Sequence, residues 1–154
     1  MALMRRSLFF YTPLTAKASQ ANRPSRGGKM RNFKICLANS NPIMLQAIKR
    51  LVAGTPDLEI VGETSDGQGL LDLLELTKPD LVILDIFLPH IHGLAVAKII
   101  KTNYPQIKVI FLTKETDAEY IFNALFYGAD SYLLEEDGES TLLAAIDKII
   151  KIIK

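Results

Sequence analysis

Cysteine occurs once in these 154 residues, so no disulfide framework can staple the fold. The lone thiol, Cys36, lies inside an apolar strand-like run and reads as a buried structural residue. Histidine occurs only at positions 90 and 92, in one loop, and no serine or cysteine nucleophile with a histidine base is visible. The H-x-H spacing of His90 and His92 is a metal-ligand spacing, but alternating loop imidazoles read first as solvated side chains. There is no GxGxxG and no P-loop, which leaves dinucleotide or triphosphate binding without a motif. No apolar run approaches the roughly 18 to 20 residues needed to cross a bilayer, so the expected location is cytoplasmic and no membrane partner is expected.

Acidic residues are missing from one region. Residues 1–29 hold six cations, Arg5, Arg6, Lys17, Arg23, Arg26 and Lys29, and no acid. The rest has 12 cations against 17 acids, a net charge of −5. A nucleic-acid footprint needs a basic patch, so no nucleic-acid partner is expected for the folded part. Residues 1–30 also contain Pro13, Pro24, Gly27, Gly28 and a polar stretch, and read as a disordered basic leader or an overcalled start with Met30 as initiator. A transit peptide and a secretory signal stay open as alternatives. Residues 31–154 are expected to form a single domain.

From Phe33 onward the pattern becomes regular. "FKICLA" (33–38) reads as a strand, and Pro42 opens a helix that runs to about Ala53, with Gly54 as its stop. Further strands are expected at 58–63, 80–84, 107–113 and 131–134. Helices are expected at 67–78, 93–103 and 117–128, with Gly128 at the end of the last. A final helix from Glu139 sets Leu142, Ile146, Ile149 and Ile153 at helical spacing, while Ile152 points away from that row. Five strands alternating with five helices imply an α/β fold, a doubly wound parallel sheet with right-handed crossovers and helices on both faces.

Chemistry in such sheets sits outside the carboxyl ends of the strands. Strand one exits into Asn39 and Ser40, strand three into Asp85, strand four into Thr113 and Lys114, and strand five into Glu135 and Glu136. These side chains should gather on one rim, with Asp85 as its anionic centre.

The segment "PDLVILDIFLPHIHGLAVAKII" resembles the phosphoacceptor segment of response-regulator receiver domains, the CheY-like superfamily. "VIFLT" and "ALFYGADSYLLE" resemble the same family's fourth and fifth strand regions. The likeness covers roughly residues 33–153 and is nearest in flavour to the receivers of LuxR-type regulators. It implies a flavodoxin-like (βα)5 sheet in the order 2-1-3-4-5 and a role in two-component phosphorelay signalling. It further implies that Asp85 accepts a phosphoryl group from a histidine kinase and that Thr113 hydrogen-bonds that group. Tyr132 would be the switch aromatic, and Mg²⁺ would be held by Asp85 and the backbone carbonyl of Phe87. A partner or a second copy would dock on the face of the fourth helix, fifth strand and fifth helix, where Ile149, Ile150, Ile152 and Ile153 crowd the tail.

Three positions depart from the family pattern. Asn39 and Ser40 stand where the family carries its acidic pair, Glu135 stands at the family lysine, and Lys114 follows Thr113 where a small residue is usual. Mg²⁺ prefers anionic oxygens, and each lost electrostatic donor costs on the order of 10²–10³ in rate. The expectation is a stand-alone, atypical receiver acting by phosphorylation-independent protein contact, with at most slow autophosphorylation on Asp85, because no output domain follows in the sequence. The alternatives are a working phosphoacceptor with an unconventional cation site and a small-ligand module on a flavodoxin-like sheet. For the rim itself, Lys114 pairing with Asp85, Glu135 joining Asp85 in a cation site, and Lys114, Glu135 and Glu136 as plain solvated charges all stay open.

Overall fold

Successive side chains of a strand point to opposite faces of its sheet, and here the apolar runs divide accordingly. In the computed structural model, which describes residues 32–153, Ile35, Leu37, Ile83, Ile110 and Leu112 enter one core, and Cys36, Ala38, Val82, Leu84, Val109 and Phe111 enter the other. Strands that carry apolar residues on both faces need helices on both sides. The leader expected at residues 1–30 lies outside the described residues.

The strands are β1 (Phe33–Ala38), β2 (Leu58–Thr64), β3 (Leu81–Leu84), β4 (Lys108–Thr113) and β5 (Ser131–Leu134). All neighbouring pairs are parallel, and the order is β2-β1-β3-β4-β5, the order that the resemblance implies. Helices α1 (Pro42–Ala53) and α5 (Glu139–Ile153) cover the first core with Met44, Leu45, Ile48, Leu51, Leu142, Ile146 and Ile149. Helices α2 (Gly67–Thr77), α3 (Gly93–Asn103) and α4 (Ala118–Phe126) cover the second.

Element ends differ from expectation by a residue or two, each for a local reason. Ile107 bonds back to the Tyr104 carbonyl in a turn, so β4 starts at Lys108. Asp117 stays outside α4 because its carboxylate caps the helix, accepting from the Glu119 amide at 2.9 Å. The expected helix to Gly128 stops at Phe126, and the chain leaves through Gly128 at φ +101°, a conformation that L side chains rarely adopt. Asn41, in extended conformation, caps α1 by accepting from the Ile43 amide at 3.0 Å, with Pro42 as the first helical residue.

The tail follows the expected row closely. Leu142, Ile146 and Ile149 are buried, Ile150 is half-buried, and Ile152 is 67% exposed. Ile153 ends the row exposed. Cys36 is fully buried, and its thiol lies 3.3 Å from the Thr77 hydroxyl. Burial pushes the thiol's pKa up, which suits an inert structural residue.

Candidate functional site

Parallel strands end at one edge because their registers align, and this edge carries the polar residues. A cleft of about 260 Å³ lies there, lined by Asn39, Ser40, Asn41, Asp85, Phe87, Thr113, Lys114, Glu115 and Glu135. Seven of the expected site residues therefore meet in one cleft. Tyr132 is not among the lining residues.

Asp85 leaves β3 at the floor, where its amide bonds the Ala38 carbonyl at 3.2 Å. Its carboxylate accepts from the Ile86 amide at 2.6 Å. Desolvation pushes its pKa up, and hydrogen bonds from the Thr113 hydroxyl and the Ile86 and Phe87 amides, together with the charge of Lys114, pull it back. The loop beyond is pressed against α3. A side chain at Gly93 would place its Cβ 2.1 Å from the Asp85 carbonyl oxygen, so only glycine fits under this loop.

Thr113 is buried, and besides its bond to Asp85 its hydroxyl accepts from the Glu115 amide at 3.2 Å. Tyr132 lies beside Phe111 with ring centroids 6.1 Å apart, and its hydroxyl donates to the Glu115 carbonyl at 2.8 Å. Desolvation, with the nearby carboxylates Glu115, Asp85 and Asp117, pushes the Tyr132 pKa up to about 12. Thr113 and Tyr132 thus hold the β4–α4 loop at one residue, Glu115, through its amide and its carbonyl.

The flanks are neutral or acidic. Asn39 is 4% exposed, and its side-chain oxygen accepts from the Asn41 amide at 2.8 Å, while Ser40 is exposed. Glu135 is 5% exposed, at the start of a 3-10 turn, Glu135–Asp137. That corrects the reading of Glu135 as a plain solvated charge, and it gives the rim a second buried-flank acid beside Asp85. Lys114 and Glu136 are exposed as that reading has them. Among the described residues Lys114 and Asp85 form no ion pair within 4.0 Å; Lys114 acts on Asp85 only through its field.

Of the two histidines, His92 is half-buried, and its Nδ1 accepts from the Leu94 amide at 3.3 Å, capping α3. His90 is exposed, with φ +68°. Among the described residues no group of three or more His, Cys, Asp or Glu is placed to hold a metal ion.

Two features escaped sequence reading. Asn41 lines the cleft, and its position just before a helix-opening proline was the available signal. The Phe87 ring, 47% exposed, meets His92 and Tyr120 edge-on at 5.3 and 5.2 Å, and His92 and Tyr120 are stacked at 6.2 Å. This aromatic trio ties the loop after Asp85 to α4, and no local pattern announces a contact across more than thirty residues of sequence.

Residues 35–147 match the family described as "Response regulator receiver domain". The transcriptional regulatory protein DegU of Brevibacillus brevis is 29% identical over 74% of this chain and 48% of its own. The nitrate/nitrite response regulator protein NarL of Escherichia coli strain K12 is 30% identical over 73% of this chain and 52% of its own. The chain thus spans about half the length of these curated relatives. Among solved structures, a DNA-binding response regulator of the LuxR family from Staphylococcus aureus is 31% identical, with TM-score 0.73, over 76% of this chain and 98% of that one.

Proposed function

Because this chain belongs to the response-regulator receiver domain family of two-component signalling, we propose that it is an atypical receiver whose output runs through protein contact rather than through efficient phosphotransfer to Asp85. The observation that carries this reading is the charge lining the cleft. Asp85, Glu115 and Glu135 contribute three carboxylates, against the single cation Lys114. A phosphoryl donor brings its own negative charge to such a cleft. Its transfer needs preorganised positive charge where the charge on the phosphoryl oxygens builds up.

The Mg²⁺ set that the family implies does not fit these residues well. Asn39 and Ser40 at its acidic pair are neutral, and the Asn39 oxygen is already taken by the Asn41 amide. What persists is Asp85 in a bed of donors, with Thr113, Ile86 and Phe87 supporting its carboxylate. On this reading the domain keeps the receiver's floor and lacks the cation chemistry of its walls. We place it in the cytoplasm, where a histidine kinase or another signalling protein is its partner.

A second reading is favoured by that intact floor: a working phosphoacceptor that recruits a cation between Asp85 and Glu135, which line the same cleft. One experiment separates the two. The protein is incubated with acetyl phosphate or phosphoramidate, with and without Mg²⁺ or Mn²⁺, and weighed intact, with Asp85→Asn as the control. The first reading expects no added phosphoryl mass, or a yield far below stoichiometric. Stable, metal-dependent label on the wild type alone overturns it and establishes the second.

A further inference from the structure

The edge of the sheet opposite Asp85 holds a second cavity. It has a volume of about 350 Å³ and lies where β3 and β4 begin and where α2 and α3 end. Leu74, Pro79 and Ile107 line it as buried apolar residues, and the half-buried Tyr104 joins them. Glu75, Lys78, Asp80 and Gln106 supply its polar groups. A concave, largely apolar lining with a few polar groups is the usual form of a small-molecule site.

Two opposite charges at its rim are held apart. Glu75 and Lys78 are both exposed, at a spacing where charges on a continuous helix are neighbours. Here α2 ends at Thr77, and Lys78 follows at φ +46°, in the left-handed region and off the helical row. Among the described residues no ion pair within 4.0 Å joins Glu75 to Lys78, and the Lys78 ammonium has no hydrogen-bond partner. Glu75 accepts instead from the Tyr104 hydroxyl at 2.6 Å, which ties the end of α2 to the end of α3. Asp80 is taken up in the fold, since its carboxylate accepts from the Lys34 amide at 2.8 Å. The cavity thus offers one carboxylate fixed by a tyrosine and one ammonium, beside an apolar lining.

We propose that this cavity binds a small zwitterion of amino-acid type with a large apolar side chain. The ligand's ammonium meets the Glu75 carboxylate and its carboxylate meets the Lys78 ammonium. Its side chain lies against Leu74, Pro79, Ile107 and Tyr104. The charges select this class of ligand. Glu75 and Asp80, together with the carbonyl ends of α2 and α3, carry negative charge that disfavours a phosphate or any other lone anion. Lys78 in turn disfavours a polyamine. A zwitterion satisfies both charges, and an apolar body matches the buried lining. Tyr104 acts as a positioning residue that holds Glu75 in place. The site lies at the opposite end of β3 from the Asp85 cleft, and it stands whether or not Asp85 takes a phosphoryl group.

Titration of the isotope-labelled full chain with L-phenylalanine and, separately, L-leucine, followed by its amide resonances, tests the proposal. Saturable shifts are expected at Glu75, Lys78, Tyr104 and Ile107, with Ile86 and Phe87 beside Asp85 unmoved. Phenethylamine, which lacks the carboxylate, and hydrocinnamate, which lacks the ammonium, should each bind about tenfold more weakly than L-phenylalanine. Lys78→Gln should weaken L-phenylalanine about tenfold and leave phenethylamine unweakened. Glu75→Gln should weaken L-phenylalanine to the same degree and leave hydrocinnamate unweakened. Loss of folding would not produce that crossed pattern, and both positions are exposed, so circular dichroism should show the fold intact. No saturable shift with either amino acid up to about 10 mM, well above the Kd of a specific site, overturns the proposal. So do equal affinities for L-phenylalanine and its two analogues, variant effects that are not crossed, or shifts confined to the Asp85 cleft. Asp85→Asn should leave L-phenylalanine binding unchanged, so failure of the phosphorylation reading and failure of this one are read separately.

Discussion

Helices α3 and α4 lie on the same face of the sheet and flank the same loop, yet the molecule uses them in opposite ways. Gly93, Val96, Ala97 and Ile100 of α3 are buried in the core, and α3 presses its first glycine against the Asp85 carbonyl. One buried residue, Ala124, anchors α4 with the half-buried Tyr120 beside it, while Phe122, Leu125 and Phe126 face outward. An amphipathic helix normally spends its apolar residues on the core. A helix that spends them on the outside contributes little to stability and leaves them free for contact. The comparison separates a helix built into the core from one that stays largely outside it.

The largest effect should come from the helix built into the core. Ile100→Ala empties a fully buried position and should cost about 2–5 kcal/mol, whereas Phe126→Ala on the neighbouring helix should stay within about 0.5 kcal/mol in the monomer. Urea unfolding of the two variants side by side measures the gap, and equal losses would erase the distinction. Gly93→Ala comes next, since its new methyl meets backbone oxygen rather than a yielding side chain. We expect about 1–3 kcal/mol and a displaced loop after Asp85, seen as shifted Ile86 and Phe87 amide resonances.

A smaller effect sits on the bridge between the two helices. Phe87→Ala removes the edge contacts to His92 and Tyr120, each worth about 0.5–1.5 kcal/mol. Amide exchange in α4 should speed up while that in α3 stays slow. If both helices loosen together, the trio is not the link between loop and α4.

The last prediction is one of pH. The pKa of Tyr132 is raised to about 12 in the folded protein, against about 10 in the unfolded chain. Its contribution is therefore fully present below pH 10 and is lost as pH rises from there towards 12. Tyr132→Phe should flatten the fall in stability across that window. Asp85 runs the same way at the acid end. Its raised pKa favours the folded state as pH falls through the folded value, and Asp85→Asn should remove that slope.

Much of the framework was legible in the residues themselves. Pro42 and Asn41 mark where α1 begins, and the run Leu81 to Leu84 marks a strand covered on both sides. The meeting of Asn39, Ser40, Asp85, Thr113, Lys114 and Glu135 also follows from strand order alone, because parallel strands end at one edge. What stayed hidden was set by distance and degree of burial. Glu135 reads from its neighbours as an exposed acid in a run of three, yet the turn after β5 folds it inside. For Lys114 the residues left open whether it pairs with Asp85 or is solvated, and in the folded domain it is exposed and acts on Asp85 through its field.

The sequence by itself determined the alternation of strands and helices, the parallel sheet and the location of the polar rim. Those properties depend on periodicity, turn chemistry and which residues end each strand, all of them local. Only the tertiary structure decided which acids are buried, which rings touch across the loop after Asp85, and which apolar helix face is left outside. Burial and long-range contact belong to the packed whole, since a side chain's exposure is set by neighbours that the chain brings to it from far away.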